Sequence, residues 1–331
     1  MEYARYHLID PEFAWFKAPI GLQNPMSQII ASRYLPAANT EKADRTIQIP
    51  LSSSEDKLVI LENTPAHWQR GDRVLVLVHG LTGCSYSAYN LRLTHRFLKK
   101  GVKVIRVNLR GCGQGFGLSK SIYHSGQSQD IRDVVVWIEK NYGNSPVTLA
   151  GMSLGGNIVL KMVGEDGSKP SGCVDSVVAV SPPIDLAASS NKLMQSSRLL
   201  NWYFLSRLQK DILKRKKHFD LEGPSLEGLR YLWEFDEVFT APEAGFLSAK
   251  EYYEKSSSKK VLGDICVPTL FLTSQDDPCI DVEAFLKIPQ KRFFDVIVTS
   301  RGGHVGFVGV GQDRRGFHWF DGLLERFVLS L

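Results

Sequence analysis

The strongest constraint on the fold is the regular alternation, from Thr46 onward, of short apolar runs with stretches of helical periodicity. Uninterrupted apolar runs, such as residues 74–78, are typical of parallel strands covered by helices on both faces. We therefore predict an α/β fold with an eight-stranded, mostly parallel sheet flanked by helices, and functional residues at the carboxyl ends of the strands. The first two strands alternate more and suit an antiparallel edge. The predicted strands are residues 46–49, 58–61, 74–78, 102–107, 147–149, 174–180, 269–272 and 294–298.

Two parts of the chain do not follow this alternation. Residues 1–44 show no periodicity, and we treat them as an N-terminal extension of a single domain that spans residues 45–331. Residues 184–262 are rich in aromatic and basic residues without a clear strand, so we predict a helical cap inserted within that domain. A domain of this size is ordinary for an α/β fold.

One stretch of the predicted cap has apolar residues at helical spacing, with basic residues around and beyond them. Two interpretations remain open. The helix is a lid whose apolar face packs over the pocket while its basic rim approaches anionic lipid, or it is an ordinary amphipathic helix with a solvated basic end. The apolar residues are Trp202, Leu205, Leu208 and Ile212, and the basic residues are Arg207, Lys210, Lys214, Arg215, Lys216 and Lys217.

Composition and charge exclude several classes of protein. With 43% hydrophobic and 23% charged residues, the chain is neither disordered nor fibrous. A net charge of +5 is modest for 331 residues, so we expect no nucleic-acid partner. The N-terminus lacks a secretory pattern and no apolar run approaches the roughly 18 residues of a membrane span, so we expect a cytoplasmic protein. The five scattered cysteines are expected to be reduced thiols, without a disulfide framework or a zinc site.

The motif Gly-x-Ser-x-Gly occurs at residues 151–155, directly after a predicted strand and before a helical stretch. A serine on so tight a strand-to-helix turn requires small residues two positions away on either side. We predict that Ser153 is a nucleophile and that the N–H of Leu154, at the start of the helix, stabilises an oxyanion. The alternative is a glycine-rich turn with a structural serine.

A serine hydroxyl needs a base that accepts its proton and a carboxylate that orients the base. His304 follows the last predicted strand in a glycine-rich loop and is the best placed of the eight histidines. The carboxylate is expected after the strand at residues 269–272. We choose Asp277, three residues after Ser274 and directly before Pro278, and keep Asp276 as the alternative. The chain order Ser, Asp, His is that of α/β-hydrolases.

The second oxyanion donor is expected in the loop after the strand that ends at residue 78. Gly80 permits a sharp turn there, and we predict the N–H of Leu81 as the donor, with Thr82 as the alternative. His79 is expected to hold this loop by a hydrogen bond rather than to act as a base.

The glycine-rich segment at residues 111–117 lacks the Gly-x-Gly-x-x-Gly spacing of a dinucleotide-binding loop. We predict a loop beside the active site, fixed by hydrogen bonds from Arg110 to backbone carbonyls. Neither a metal nor an organic cofactor is expected, because Ser153, His304 and Asp277 would supply nucleophile, base and electrostatic stabilisation.

These motifs together resemble the YheT-type branch of the α/β-hydrolase superfamily. The resemblance implies an α/β-hydrolase fold and hydrolysis of acyl esters, with relatives linked to short and medium acyl esters, glycerides, phospholipids and acyl transfer to alcohols. Residues 24–30 are similar to a prolyl and glutaminyl segment of the branch, with Met26 and Ile29 as departures. The other matching segments are residues 79–83 with Tyr89, residues 108–113, residues 123–126 with Asp130, residues 151–155, residues 276–278 and residues 302–307.

We therefore expect a serine carboxylic-ester hydrolase that forms an acyl-enzyme and takes a small acyl ester, of short to medium chain or lipid-like, as its substrate. Contact of the cap with a membrane or lipid is a further expectation. Two alternatives remain: an acyltransferase that uses an alcohol as acceptor at the same site, and a binding protein that keeps the fold without turnover.

Overall fold

In a computed structural model of the chain, the described residues are 3–5, 15–35, 42–310 and 317–331. All eight predicted strands are present in one sheet, and a ninth strand is added by the N-terminal extension. The strands of this described part are β1 Tyr3–Arg5, β2 Arg45–Pro50, β3 Lys57–Asn63, β4 Val74–Val78, β5 Lys103–Asn108, β6 Val147–Met152, β7 Val174–Val180, β8 Thr269–Ser274 and β9 Phe294–Thr299.

The strand order is β1-β9-β8-β7-β6-β4-β5-β3-β2. From β5 to β9 all neighbours in this order are parallel, and β3 is antiparallel to both β2 and β5, as the more alternating pattern at this edge predicted. At the other edge β1 pairs antiparallel with β9. The parallel strands place their carboxyl ends along one edge of the sheet, where the predicted site residues follow β4, β6, β8 and β9.

Helices cover both faces of the sheet. One face packs against α3 and α4, and the other against α2 and α11, with Phe16 of the extension packed on that second side. The helices of the described chain are α1 Pro25–Tyr34, α2 Ala88–Leu98, α3 Ser128–Tyr142, α4 Leu154–Asp166, α5 Leu186–Ser196, α6 Arg198–Phe219, α7 Leu232–Phe235, α8 Ala241–Glu243, α9 Ala249–Ser256, α10 Glu283–Leu286 and α11 Trp319–Leu329, with a π-helical turn Asp236–Thr240 between α7 and α8.

The long connection between β7 and β8, which contains the residues 184–262 assigned to the cap, is built from helices and turns. In α6, Leu205, Leu208 and Ile212 are buried and pack with other cap residues. Trp202 is 63% exposed, so its predicted place on the apolar face is wrong. At 3.6 residues per turn, Trp202 falls at the margin of the stripe that the other three form. No helix within the described residues is long and apolar enough to cross a membrane.

Candidate active site

Ser153 occupies a tight turn between β6 and α4, with φ of 52°. This left-handed conformation is uncommon for a residue with a Cβ atom. A Cβ atom at Gly151 would collide with the carbonyl of Gly155, and a Cβ atom at Gly155 would collide with the carbonyl of Val78. The two glycines of the motif therefore permit the backbone approach that presents the serine at the edge of the sheet.

The structure brings the three predicted side chains together. His304 Nε2 lies 2.7 Å from Ser153 Oγ. On the other side of the ring, His304 Nδ1 lies 3.1 Å from Asp277 Oδ1 and 3.0 Å from Asp277 Oδ2. In this geometry the imidazole can accept the hydroxyl proton at Nε2 while the carboxylate holds the proton on Nδ1.

Two adjacent carboxylates after β8 have different partners. Besides the histidine, Asp277 Oδ1 accepts the N–H groups of Cys279 and Ile280 at 2.8 and 3.1 Å. Asp276 Oδ1 instead accepts the N–H of Gly303 at 2.9 Å. The chosen Asp277 thus contacts the histidine, and the alternative Asp276 fixes the backbone of the loop that carries it.

The predicted oxyanion donors flank the serine. The N–H groups of Leu81 and Leu154 form no hydrogen bond within the part of the chain that is described, and both residues line the same cavity as Ser153. A Cβ atom at Gly80 would lie 2.9 Å from Ser153 Cβ, so the loop before Leu81 runs directly beside the nucleophile. The N–H of Thr82, the alternative donor, already donates a hydrogen bond to the Tyr123 hydroxyl at 2.8 Å.

His79 holds the β4 loop, as expected. Its Nδ1 lies 2.8 Å from the Gly80 carbonyl oxygen, and its Nε2 accepts the N–H of Leu109 at 3.1 Å. Burial lowers the pKa of His79 to about 4. The imidazole is therefore neutral near pH 7, with its proton on Nδ1, and it has no nitrogen free to serve as a base.

A cavity of about 360 Å³ lies between the carboxyl edge of the sheet and the cap. Ser153 and His304 are part of its wall, and the predicted loop at residues 111–117 runs along it. Most of the remaining wall is apolar, which suits an acyl chain. The larger apolar residues in it are Leu81, Phe116, Ile122, Leu154, Leu186, Leu193, Phe204, Leu208, Ile212, Leu232, Phe235 and Ile280.

Residues 73–309 match the family described as alpha/beta hydrolase fold. The chain belongs to this family. It is 32% identical over 253 residues to the putative esterase YheT of Escherichia coli, an alignment that covers 74% of this chain and 73% of that protein, and it is of the YheT type within the family.

A further relative of this α/β-hydrolase is the monoacylglycerol lipase of Saccharomyces cerevisiae, 30% identical over 267 residues, or 77% of this chain. The alignment spans 58% of the yeast protein, less than two thirds of its length. Among solved structures, an esterase of Pyrococcus furiosus matches with a TM-score of 0.56 and 16% identity, covering 86% of this chain and 89% of that one. At this identity the likeness concerns the fold.

The N-terminal extension of this α/β-hydrolase supports the histidine loop. In α1, Gln28 is fully buried and bonds the backbone of Val308, and the Ser32 hydroxyl donates to the Val305 carbonyl. A Cβ atom at Gly303 would lie 2.6 Å from the Pro25 carbonyl oxygen. The sequence indicated this segment only through its resemblance to the glutaminyl segment of the branch.

Within the described residues Arg110 binds no backbone carbonyl, so that prediction is wrong. Its guanidinium pairs with both carboxylate oxygens of Asp130 at 2.7 and 2.6 Å, and with Asp56 at 3.1 Å. The remaining bonds go to the hydroxyls of three serines. The Arg110 guanidinium donates to two buried carboxylates because charge-assisted hydrogen bonds are stronger than bonds to neutral carbonyls.

Arg215 has the carbonyl-binding role instead. It lies on α6 of the cap and is buried, although the sequence placed it on a basic rim. Its Nη2 donates to the carbonyls of Ser119 and Ser121 at 2.9 and 2.7 Å, and to that of Lys120. The cap is thereby fastened to the loop that follows the glycine-rich segment. Only the three-dimensional contact distinguishes Arg215 from the neighbouring lysines.

One group of side chains in the described residues has the donor types of a metal site: Asp277, Cys279 and His304 place ligating atoms within 4.8 Å of one another. Burial raises the pKa of the Cys279 thiol well above its usual range, which disfavours the thiolate that binds metals. Both ring nitrogens of His304 are already hydrogen-bonded to Ser153 and Asp277. The arrangement therefore suits a proton relay better than a metal.

Proposed function

We propose that this protein is a serine carboxylic-ester hydrolase in which Ser153 attacks the acyl carbonyl, His304 is the general base and acid, and Asp277 orients the imidazole. The observation that carries the proposal is the 2.7 Å contact of His304 Nε2 with Ser153 Oγ, because a hydroxyl becomes an effective nucleophile when a base accepts its proton. The E. coli relative, named a putative esterase, supports the same chemistry.

In the first half of the reaction, Ser153 Oγ forms a bond to the carbonyl carbon and its proton passes to His304 Nε2. The N–H groups of Leu81 and Leu154 stabilise the oxyanion, helped by the positive end of α4. The bond from the carbonyl carbon to the alcohol oxygen then breaks, and His304 returns the proton to the leaving alcohol. In the second half, water attacks the acyl-enzyme by the same steps in reverse.

The substrate that we propose has a short- to medium-chain or lipid-like acyl group. Support comes from the mostly apolar cavity beside the serine, and from the yeast relative that is named a monoacylglycerol lipase. An acyltransferase would use the same acyl-enzyme with an alcohol in place of water. The product ratio in mixtures of water and alcohol distinguishes these two activities.

Labelling with a fluorophosphonate tests the nucleophile. Wild type should be labelled, and Ser153→Ala should not. Ser189→Ala, which changes another serine of the cavity wall, is the matched control and should keep the label. Labelling that persists in Ser153→Ala would contradict the proposal, whereas p-nitrophenyl esters of rising chain length would define the acyl preference of an active protein.

We also propose that the outer face of α6 contacts an anionic lipid surface. Leu199, Trp202 and Leu213 are 60%, 63% and 60% exposed, and their spacing puts them on one side of the helix together with the exposed Lys210 and Lys217. Exposed tryptophan and leucine interspersed with lysine are typical of helices that lie in a membrane interface.

Sedimentation with vesicles tests this contact. Wild type should bind vesicles that contain phosphatidylglycerol, and less so at high salt because the lysine contribution is screened. Trp202→Ser should weaken binding, whereas Trp233→Ser, which changes an exposed tryptophan of α7, should not. If both variants bound the vesicles as well as wild type does, the proposal that α6 forms the contact would be wrong.

A further inference from the structure

A second group of polar side chains lies in the cavity wall, within the cap. The Tyr253 hydroxyl donates to Asp236 Oδ2 at 2.7 Å and lies 3.2 Å from Ser190 Oγ. Asp236, Ser190 and Tyr253, with Thr240, all line the cavity that holds Ser153. We name these four residues the polar wall. Asp236 also accepts a hydrogen bond from Thr240, so the four side chains form one connected network.

Asp236 is the unusual member of the polar wall. Its side chain is buried, yet no lysine, arginine or histidine of the described residues forms an ion pair with it. Burial raises the pKa of Asp236 to about 6, while the hydroxyls of Thr240 and Tyr253 lower it. The group is therefore mostly a carboxylate near pH 7, and its surroundings provide hydroxyl donors rather than a cation.

The local backbone points to the same residue. Asp236 opens a π-helical turn that ends at Thr240. Such turns are rare and frequently occur at functional sites, since the extra residue displaces side chains from their regular helical positions. Nothing in the ester-cleaving arrangement of Ser153, His304 and Asp277 requires a buried carboxylate in the cap.

Apolar and polar residues of the cavity wall belong to different packing clusters. Four apolar lining residues pack with the core that the sheet forms with α3 and α4, namely Leu193, Phe204, Leu232 and Ile280. Tyr253 of the polar wall belongs to a separate cluster within the cap. We expect an acyl chain to lie against the apolar residues. If methylene groups covered the polar wall instead, they would remove water from a carboxylate and hydroxyls without replacing its hydrogen bonds.

We propose that the polar wall is a subsite for the alcohol part of the substrate, and that Asp236 accepts a hydrogen bond from a hydroxyl which that alcohol carries besides the esterified one. This inference rests on the proposed ester hydrolysis. The subsite selects esters of polyhydric alcohols over esters of monohydric alcohols with the same acyl chain. A site built to bind a hydroxyl discriminates strongly against the analogue that lacks it.

The test compares two substrates that share one acyl group: a monoacylglycerol and the corresponding ethyl ester. Wild type should show the higher kcat/KM for the glycerol ester. In Asp236→Asn, kcat/KM for the glycerol ester should fall at least about tenfold, because a charged acceptor is lost, while the value for the ethyl ester stays within about twofold.

Glu237→Gln is the matched control. Glu237 is the next residue of the same turn, but its carboxylate caps the Ala249 N–H at 2.6 Å and does not line the cavity. This variant should retain the preference of wild type. Tyr253→Phe provides a second measurement if Asp236→Asn fails to fold, and it should reduce the preference through the loss of the hydroxyl that positions Asp236.

The outcomes separate the two proposals. Equal losses on both esters in Asp236→Asn, or no loss on either, would overturn the subsite while leaving ester hydrolysis in place. The subsite would also be overturned, with ester hydrolysis left in place, if wild type showed no preference for the glycerol ester over the ethyl ester. If wild type hydrolyses neither ester and resists fluorophosphonate, the proposed function fails, and the subsite fails with it.

Discussion

Gln28 and Val308, 280 residues apart in the chain, exchange two hydrogen bonds. The Gln28 Nε2 donates to the Val308 carbonyl at 2.9 Å, and its Oε1 accepts the Val308 N–H at 2.7 Å. The amide side chain thus pairs with the backbone as a neighbouring strand would. Between His304 and Val308 the loop contains Val305 and Phe307 at φ of 54° and 46°, so its conformation depends on external support.

We predict that Gln28→Leu lowers kcat far more than it raises KM, because the substitution leaves the Val308 backbone groups without partners and lets His304 move away from Ser153. A loss of about tenfold to a hundredfold is expected, since displacements of about 1 Å at a catalytic group have effects of this size. Steady-state kinetics on a p-nitrophenyl ester measures it. Ser27→Ala, on the exposed side of α1, should be unaffected. A change confined to KM would assign Gln28 to the substrate pocket instead.

Loss of the nucleophile or the base should abolish turnover. Ser153→Ala and His304→Ala should each reduce kcat on the order of a millionfold, and the double variant should be no worse, because the two residues act as one unit. Additive losses in the double variant would mean that they act independently.

The two carboxylates after β8 should differ in their effect on the rate. Asp277→Asn should cost about ten-thousandfold in kcat, because the amide favours the wrong tautomer of His304. Asp276→Asn should cost less, since Asp276 contacts the loop backbone and not the imidazole. A greater loss in Asp276→Asn would reverse the assignment.

The stability of the fold should decrease in acid through His79. The pKa of this histidine is about 4 in the folded protein, against an ordinary value of 6.5 for the unfolded chain, so the unfolded chain binds the proton more readily between these values. The contribution of His79 to the free energy of unfolding is therefore fully present above about pH 6.5. It is lost as the pH falls toward 4, and the loss is on the order of 3 kcal/mol. Calorimetry from pH 7 to 4 should show a falling Tm, with a shallower slope in His79→Gln. An unchanged slope in that variant would exclude His79 as a source.

Arg215 should hold the cap in place. Arg215→Ala removes the donor to three consecutive carbonyls, and Arg215→Lys cannot restore the planar arrangement. We expect both variants to show faster amide exchange in residues 119–121 and α6, and a lower Tm. Lys217→Ala, an exposed neighbour on the same helix, is the control. Exchange that is unchanged in Arg215→Ala would show that apolar packing alone fixes the cap.

The sequence predicted best those elements whose apolar pattern is visible in their own residues, without reference to distant contacts. Each strand in the middle of the sheet is buried on both faces, as in residues 74–78, so an apolar run is sufficient to reveal it. Ser153, Asp277 and His304 meet because parallel strands end at one edge, and each follows such a strand.

The misjudged features depend on distant contacts. Strand β1 has three residues and exists through its pairing with β9, so Tyr3–Arg5 contains no pattern to detect. The partners of Arg110 and Arg215 are chosen by which carboxylates and carbonyls the fold buries beside them. Asp236 looked like any acidic residue of the cap, because its burial and π-helical turn are visible only in three dimensions.

The packing of Gly303 and Gly306 against α1 has a consequence for the modularity of this protein. Both glycines lie so close to Gln28 that a Cβ atom would come within 3.1 and 2.9 Å of its side chain. Residues 1–44 precede the predicted domain and look dispensable, yet α1 within them packs against the loop that carries His304. A chain of residues 45–331 without α1 would keep the fold but lose part of its reactivity, because the histidine loop would lack the support of α1. We therefore expect the two segments to be inherited together.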